Sequence, residues 1–93
     1  MKNGKEYIIK FSKQAEKDKI KLKSSGLDKN CKNILVLMTK DPFCYPPTYE
    51  KLKGNLNGCC SRRISYQHRL VYEIDEIKKE IFILRMWTNY DKL

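Results

Sequence analysis

The sequence predicts an α+β fold, with two N-terminal helices packed on one face of a small antiparallel sheet. Three observations predict it. Residues 27–40 carry apolar side chains at helical spacing, and residues 69–75 and 80–87 alternate as strands do. These periods occur in the order β-α-α-β-β-β, with short links between the last strands, which favours a meander covered by helices on one side. The third observation is length. At 93 residues the chain is expected to form a single domain over residues 1–93.

Each element has a local signal. Tyr7–Phe11 alternates, with Tyr7, Ile9 and Phe11 on one side. Ser12 is placed to cap a helix running to about Lys23, with Ala15 and Leu22 on a thin apolar stripe. Ser24-Ser25-Gly26 breaks it. Leu27, Cys31, Ile34, Leu35 and Met38 then recur at helical spacing as far as Lys40, and Asp41-Pro42 ends the run. Phe43–Gly58 reads as a loop containing Pro46, Pro47, Gly54 and Gly58. A stretch of that length in so small a chain is functional or partly structured. Strands are expected at Arg62–Ser65, Arg69–Asp75 and Glu80–Trp87.

Alternation assigns faces to these strands. Ile64, Leu70, Tyr72 and Ile74 are expected in the core. In the last strand the purely apolar set Phe82, Leu84 and Met86 is expected there too, with Arg85 opposite, beside Ile81, Ile83 and Trp87. Arg63, Arg69 and Arg85 then fall together on a solvated face away from the helices. Three adjacent guanidiniums repel one another, which is tolerable where they await a phosphate. Arginines on an ordinary wet sheet face explain the same pattern.

Charge narrows the class of partner. Lys and Arg number 20 against 11 Asp and Glu, a net charge of +9. Lysine alone makes the first half basic, and Arg62, Arg63, Arg69 and Arg85 all lie in the second. Lysine suits long-range attraction, and arginine suits fixed contacts to phosphate. A nucleic-acid partner fits this balance. No apolar run approaches the ~18–20 residues of a membrane span. The run at Tyr7–Phe11 is too short for a secretion signal. A cytoplasmic protein with no membrane partner is expected. Cys31, Cys44, Cys59 and Cys60 form no C-x-x-C, and His68 is the one histidine. That spacing does not make a zinc site, and reduced thiols with no cofactor are expected.

The stretch Tyr49-Glu50-Lys51-Leu52-Lys53-Gly54-Asn55-Leu56-Asn57-Gly58-Cys59-Cys60-Ser61-Arg62-Arg63-Ile64-Ser65-Tyr66-Gln67-His68-Arg69-Leu70-Val71-Tyr72 carries more information. It resembles the E-x-L-K-x-N-L-x-G-x-x-S-R-R-I-x-x-x-H-R-L-V-Y block of YoeB/Txe toxins, a branch of the RelE superfamily. Arg85-Met86-Trp87-Thr88-Asn89-Tyr90 is similar to that family's R-x-x-x-H-Y ending. The block covers about a quarter of the chain, and the helices match in length and order only. The resemblance implies a RelE-like, microbial-ribonuclease-like fold. It implies a ribosome-dependent mRNA endonuclease, with the ribosome and mRNA as partners. It also implies a cognate antitoxin with an acidic or YefM/Phd-like C-terminal segment, and allows a homodimer.

The implied chemistry is metal-independent. RNA supplies its own nucleophile, the 2′-OH; a base removes its proton, cations stabilise the phosphorane-like transition state, and an acid protonates the leaving 5′-oxygen. By resemblance Glu50 is the base and Arg69 holds the scissile phosphate, with Lys53 and Arg63 as supporting cations and Arg85 as a further substrate contact. Arg62, of opposite parity to Arg63, is expected to be structural or peripheral, and His68 a strand-start residue. Tyr90 stands where it can bond a phosphate or stack on a base, or pack on the sheet edge. Trp87 and Tyr66 are further stacking candidates. Two positions depart from the family. Cys60 replaces a common aromatic. Asn89 replaces the usual histidine and has no titratable proton to donate. Three readings stand at position 89: an engineered, weakened chain; a natural homologue with reduced cleavage; and an acid drawn from elsewhere, the ribosome included. The alternative function is a non-catalytic homologue that binds RNA, the ribosome or the antitoxin.

Overall fold

Ser12 ends the first strand and starts the first helix. The computed structural model describes residues 6–45 and 48–89. Strand β1, Ile8–Phe11, runs into Ser12, whose backbone is extended and whose Oγ accepts from the Ala15 amide at 3.0 Å. The same hydroxyl donates to the Leu84 carbonyl at 2.8 Å, tying the cap to the sheet. Helix α1 covers Lys13–Ser25. Gly26 at φ 81° stops it, because the left-handed conformation suits a residue without Cβ. The Leu27 amide reaches back to Leu22 O at 3.0 Å and the Gly26 amide to Lys23 O at 3.2 Å, a Schellman closure. Helix α2, Asp28–Lys40, buries Cys31, Ile34 and Met38. Asp41 turns extended ahead of Pro42, as the proline ring requires of its predecessor.

The stretch 43–58, expected as a loop, contains strand β2 at Tyr49–Lys51 and a 3₁₀ turn at Gly54–Leu56. β2 is short, carries charge and lies at a sheet edge, so no apolar alternation announces it. Strands β3 (Cys60–Arg63), β4 (His68–Asp75) and β5 (Glu80–Asn89) follow. The sheet order is β1-β5-β4-β3-β2. β2 to β5 form the antiparallel meander, and β1 adds a parallel edge against β5.

The core is built from Ala15, Leu22, Cys31, Ile34 and Met38 of the helices, and Cys60, Ile64, Leu70, Tyr72, Ile81, Ile83 and Met86 of the sheet side. The expected parity of β5 is overturned: Ile81 and Ile83 are fully buried, while Phe82 is exposed and Leu84 half-buried. Both parities are apolar up to Leu84, so alternation alone does not choose between them. Irregular pairing does the rest. Tyr72 faces Ile83, Val71 faces Arg85, and Arg69 faces Thr88, so β5 spends an extra residue twice against β4. The first shift moves Arg85 to the face opposite Ile83 and so puts Met86, the next residue, in the core; the second brings Thr88 opposite Arg69.

A second expectation also fails. Arg69 and Val71 stand on the sheet face opposite Leu70 and Tyr72, yet they are 4% and 1% exposed. β4 is an interior strand, and side chains from its neighbours cover that face. No helix among the described residues is long and apolar enough to cross a membrane.

Candidate active site

Three neighbouring strands bring the charged residues together. Glu50 on β2 pairs across to Ser61 on β3, Ser61 to Val71 on β4, and Arg63 to Arg69. Glu50, Ser61, Arg63 and Arg69 therefore share the face away from the helices. Arg69 Nη1 donates to Ser61 Oγ and lies 3.2 Å from Glu50 Oε1. The two ends of this ion pair differ in exposure: the Arg69 side chain is 5% exposed and that of Glu50 53%. A fixed, buried guanidinium thus meets a carboxylate that water and solutes reach. Such a pair offers both a site for an incoming anion and a proton acceptor beside it.

Glu50 is held in place from below. Arg62, of opposite parity to Arg63, is fully buried. Its Nη2 donates to the Pro42 carbonyl at 2.9 Å and the Cys44 carbonyl at 3.0 Å, and its guanidinium lies 4.7 Å from the Tyr49 ring. Arg62 thereby fastens the 42–44 segment and the residue next to Glu50 onto the sheet. The expectation of a structural Arg62 fits this geometry. Cys60 packs in the core. Arg63 is exposed, and its Nη1 donates to the Tyr66 carbonyl at 2.9 Å; Tyr66 itself is 86% exposed. Lys53 is exposed at the start of the 3₁₀ turn, three residues beyond Glu50. His68 begins β4 and stacks on Trp87 with ring centroids 3.8 Å apart, so these two rings serve each other.

Arg85 behaves differently from its expected partners. Its pairing with Val71 puts it on the Arg69 face, but its Nε lies 3.4 Å from Asp18 Oδ2, on α1. Asp18 is completely buried, and the same oxygen accepts the Met86 and Trp87 amides at 2.8 and 3.2 Å. β1 pairs with β5 no further than Phe11 opposite Ile83, so this carboxylate binds amides of β5 beyond the last β1 pairing. Burial pushes its carboxyl up, but the Met86 amide, Gln14 and Arg85 together bring it below the ordinary value of 3.8. The backbone of Asn89 pairs with His68, and that of Thr88 with Arg69, so the end of β5 lies alongside the start of β4. The expected role of Tyr90 lies outside the described residues.

Two residues escaped the sequence. Asp18 lies at helical spacing from Ala15 and Leu22, so a buried carboxylate was inferable from the stripe it interrupts. Ser61 carries no signal beyond its place before the arginines. The three buried thiols, Cys31, Cys59 and Cys60, are disfavoured as thiolates. Burial, with Asp28 adding to it, pushes Cys31 up to about 11. Burial, with Glu73 adding to it, raises Cys59, and burial raises Cys60 against the pull of Lys51 and Arg62. Among the described residues no three His, Cys, Asp or Glu side chains converge as metal ligands would.

Comparison with known proteins agrees with this architecture. The family described as YoeB-like toxin of bacterial type II toxin-antitoxin system matches residues 11–90. The Synechocystis protein "Toxin YoeB" is 38% identical over 61 residues, covering 64% of this chain and 69% of that protein. The toxin in the YoeB-YefM heterotetramer from Staphylococcus aureus is 32% identical, covers 90% of this chain and 98% of its own, and superposes with a TM-score of 0.76. The Staphylococcus aureus YoeB dimer is 32% identical, covers 91% and 99%, and superposes at 0.77. The fold and the family match together define a small toxin of a type II toxin–antitoxin module. The chain belongs to the YoeB-like family of such toxins.

Proposed function

We propose that this toxin is a ribosome-dependent mRNA endonuclease that cleaves by attack of a 2′-OH on the scissile phosphate. The Glu50–Arg69 pair on the open sheet face carries the reading. Arg69 binds the phosphate, drawing it to the buried guanidinium. Glu50, half exposed beside it, accepts the 2′-OH proton. Arg63 and Lys53 add positive charge around the phosphate as negative charge builds in the transition state. Tyr66, exposed beside Arg63, is available to stack on a base. Arg85 fastens β5 to α1 through Asp18, and its part-exposed side chain is a further, more peripheral substrate contact. No metal is called for, since the nucleophile comes from RNA and the stabilising charge from side chains. Asn89 supplies no proton, so the leaving 5′-oxygen takes its proton from elsewhere, the ribosome included, and turnover is slow.

The partners follow from the same surface. The net charge of +9 suits the ribosome and mRNA, and suits an antitoxin segment that carries acidic residues. The Staphylococcus aureus relatives, found as a YoeB-YefM heterotetramer and as a YoeB dimer, support a YefM-like antitoxin and a homodimer. A target on the ribosome makes the cytoplasm its place of action. Asn89 favours one second reading, a homologue that binds RNA or antitoxin without cleaving. Single-turnover cleavage of mRNA on programmed ribosomes separates the two. Under the first reading, Glu50→Gln and Arg69→Ala each abolish cleavage measurable for the parent chain. Cleavage that persists in both variants overturns the assignment.

A further inference from the structure

We infer that Ser61 is a positioning residue of the active site, acting through Arg69; the inference rests on the catalytic reading of the Glu50–Arg69 pair. Ser61 sits on β3, between the strands that carry Glu50 and Arg69. It is completely buried, so it does not reach a substrate. Its Oγ is nevertheless bonded to Arg69 Nη1, the nitrogen that also meets Glu50 Oε1. That nitrogen carries two protons. One is committed to the buried hydroxyl and the other faces the exposed carboxylate.

The division has a consequence for the order of events. An arriving phosphate competes with Glu50 for the outward proton of Nη1. It does not compete with Ser61, which lies beneath. The guanidinium therefore stays fixed while its outer partner changes. Glu50 is released from the ion pair as the phosphate is captured, and becomes free to accept the 2′-OH proton. Without the hydroxyl, Nη1 of Arg69 loses that buried acceptor and the guanidinium is held less firmly. Phosphate attraction survives, because the charge remains. Alignment does not survive, and alignment governs the chemical step rather than binding.

The test uses Ser61→Ala, with Ser61→Cys as a variant of similar volume and weak acceptor strength, and Ser61→Thr as the hydroxyl-retaining rescue. Two quantities are read for each. One is the single-turnover cleavage rate on programmed ribosomes, at saturating and sub-saturating ribosome. The other is rotation of the Arg69 guanidinium in the free protein, followed by nitrogen-15 NMR. We expect Ser61→Ala and Ser61→Cys to lower the saturated rate by roughly tenfold or more, the effect of losing one hydrogen bond to a charged group. The half-saturating ribosome concentration stays within about twofold, and Arg69 rotation speeds up. Ser61→Thr restores both readouts. Unchanged rotation in Ser61→Ala and Ser61→Cys overturns the inference, as does an unchanged rate with the fold intact. If the parent chain does not cleave at all, the nuclease reading fails, and the rotation measurement still decides what Ser61 does to Arg69.

Discussion

Replacing Asp18 with alanine should destabilise the protein more than its place on a surface helix suggests. The carboxylate is wholly buried and accepts two main-chain amides of β5, from Met86 at 2.8 Å and Trp87 at 3.2 Å. Alanine leaves both donors bare. A buried donor without a partner costs ~1–3 kcal/mol, so the two together cost roughly 2–6 kcal/mol, the part-buried Trp87 amide contributing the less. Gln14 also bonds Asp18, at 2.8 Å, but lies on the exposed side of α1. The Arg85 side chain is 45% exposed. Both recover water when the carboxylate goes, so they add little. For a chain of this size 1 kcal/mol moves Tm by ~4–8 °C, which makes the expected fall about 10 °C or more. Asp18→Asn keeps one carbonyl acceptor and should cost less than half as much. The pH dependence follows from direction. The folded carboxyl lies below its ordinary value of 3.8, so its contribution is complete above that value and is lost as pH falls through the lower folded one. The gap between the parent chain and Asp18→Asn should therefore be widest near neutrality and close below about pH 4. Thermal melts across pH measure this directly. An Asp18→Ala protein melting within two or three degrees of the parent at pH 7 would refute the reasoning.

Other positions give sharper functional readouts. Arg62→Ala should release the 42–44 segment and Tyr49, lowering Tm and raising hydrogen exchange at the β2 amides, since it removes a buried guanidinium with two carbonyl partners. Asn89→His should raise single-turnover cleavage by up to ~10²–10⁴-fold, the usual contribution of a positioned acid, while leaving ribosome affinity nearly unchanged. Affinity for ribosomes should fall about tenfold or more from low to moderate salt if several phosphates are contacted, and a titration that stays flat would point to protein contacts or stacking instead.

Much of the architecture was legible because it rests on local chemistry. The Ser12 cap, the Gly26 stop and the helical stripe from Leu27 to Met38 are each written in a few adjacent residues. β2 was not legible, because a three-residue charged edge strand is defined by its neighbour rather than by itself. The face of β5 was misjudged because Ile81 to Leu84 is apolar throughout and the strand is twice irregular against β4. Within the site, the resemblance pointed to Glu50 and Arg69, and the structure sets them 3.2 Å apart. Their different exposure was not foreseen. Alternation gives a face, but burial on that face depends on which strands flank it. Arg85 shows the same limit: its face followed from register, while its partner Asp18 lies 67 residues away in sequence.

Replacing one oxygen atom of the substrate tests the central claim most directly. An mRNA with a 2′-deoxy nucleotide on the 5′ side of the scissile phosphate lacks the nucleophile that Glu50 is proposed to activate. On programmed ribosomes the all-ribose message should be cut, leaving a 2′,3′-cyclic phosphate or its opened 3′-phosphate on one fragment and a 5′-hydroxyl on the other. The deoxy message should remain whole. Cutting of the deoxy message at the same site, or fragments ending in a 3′-hydroxyl and a 5′-phosphate, would contradict attack by the 2′-OH and with it the role given to Glu50.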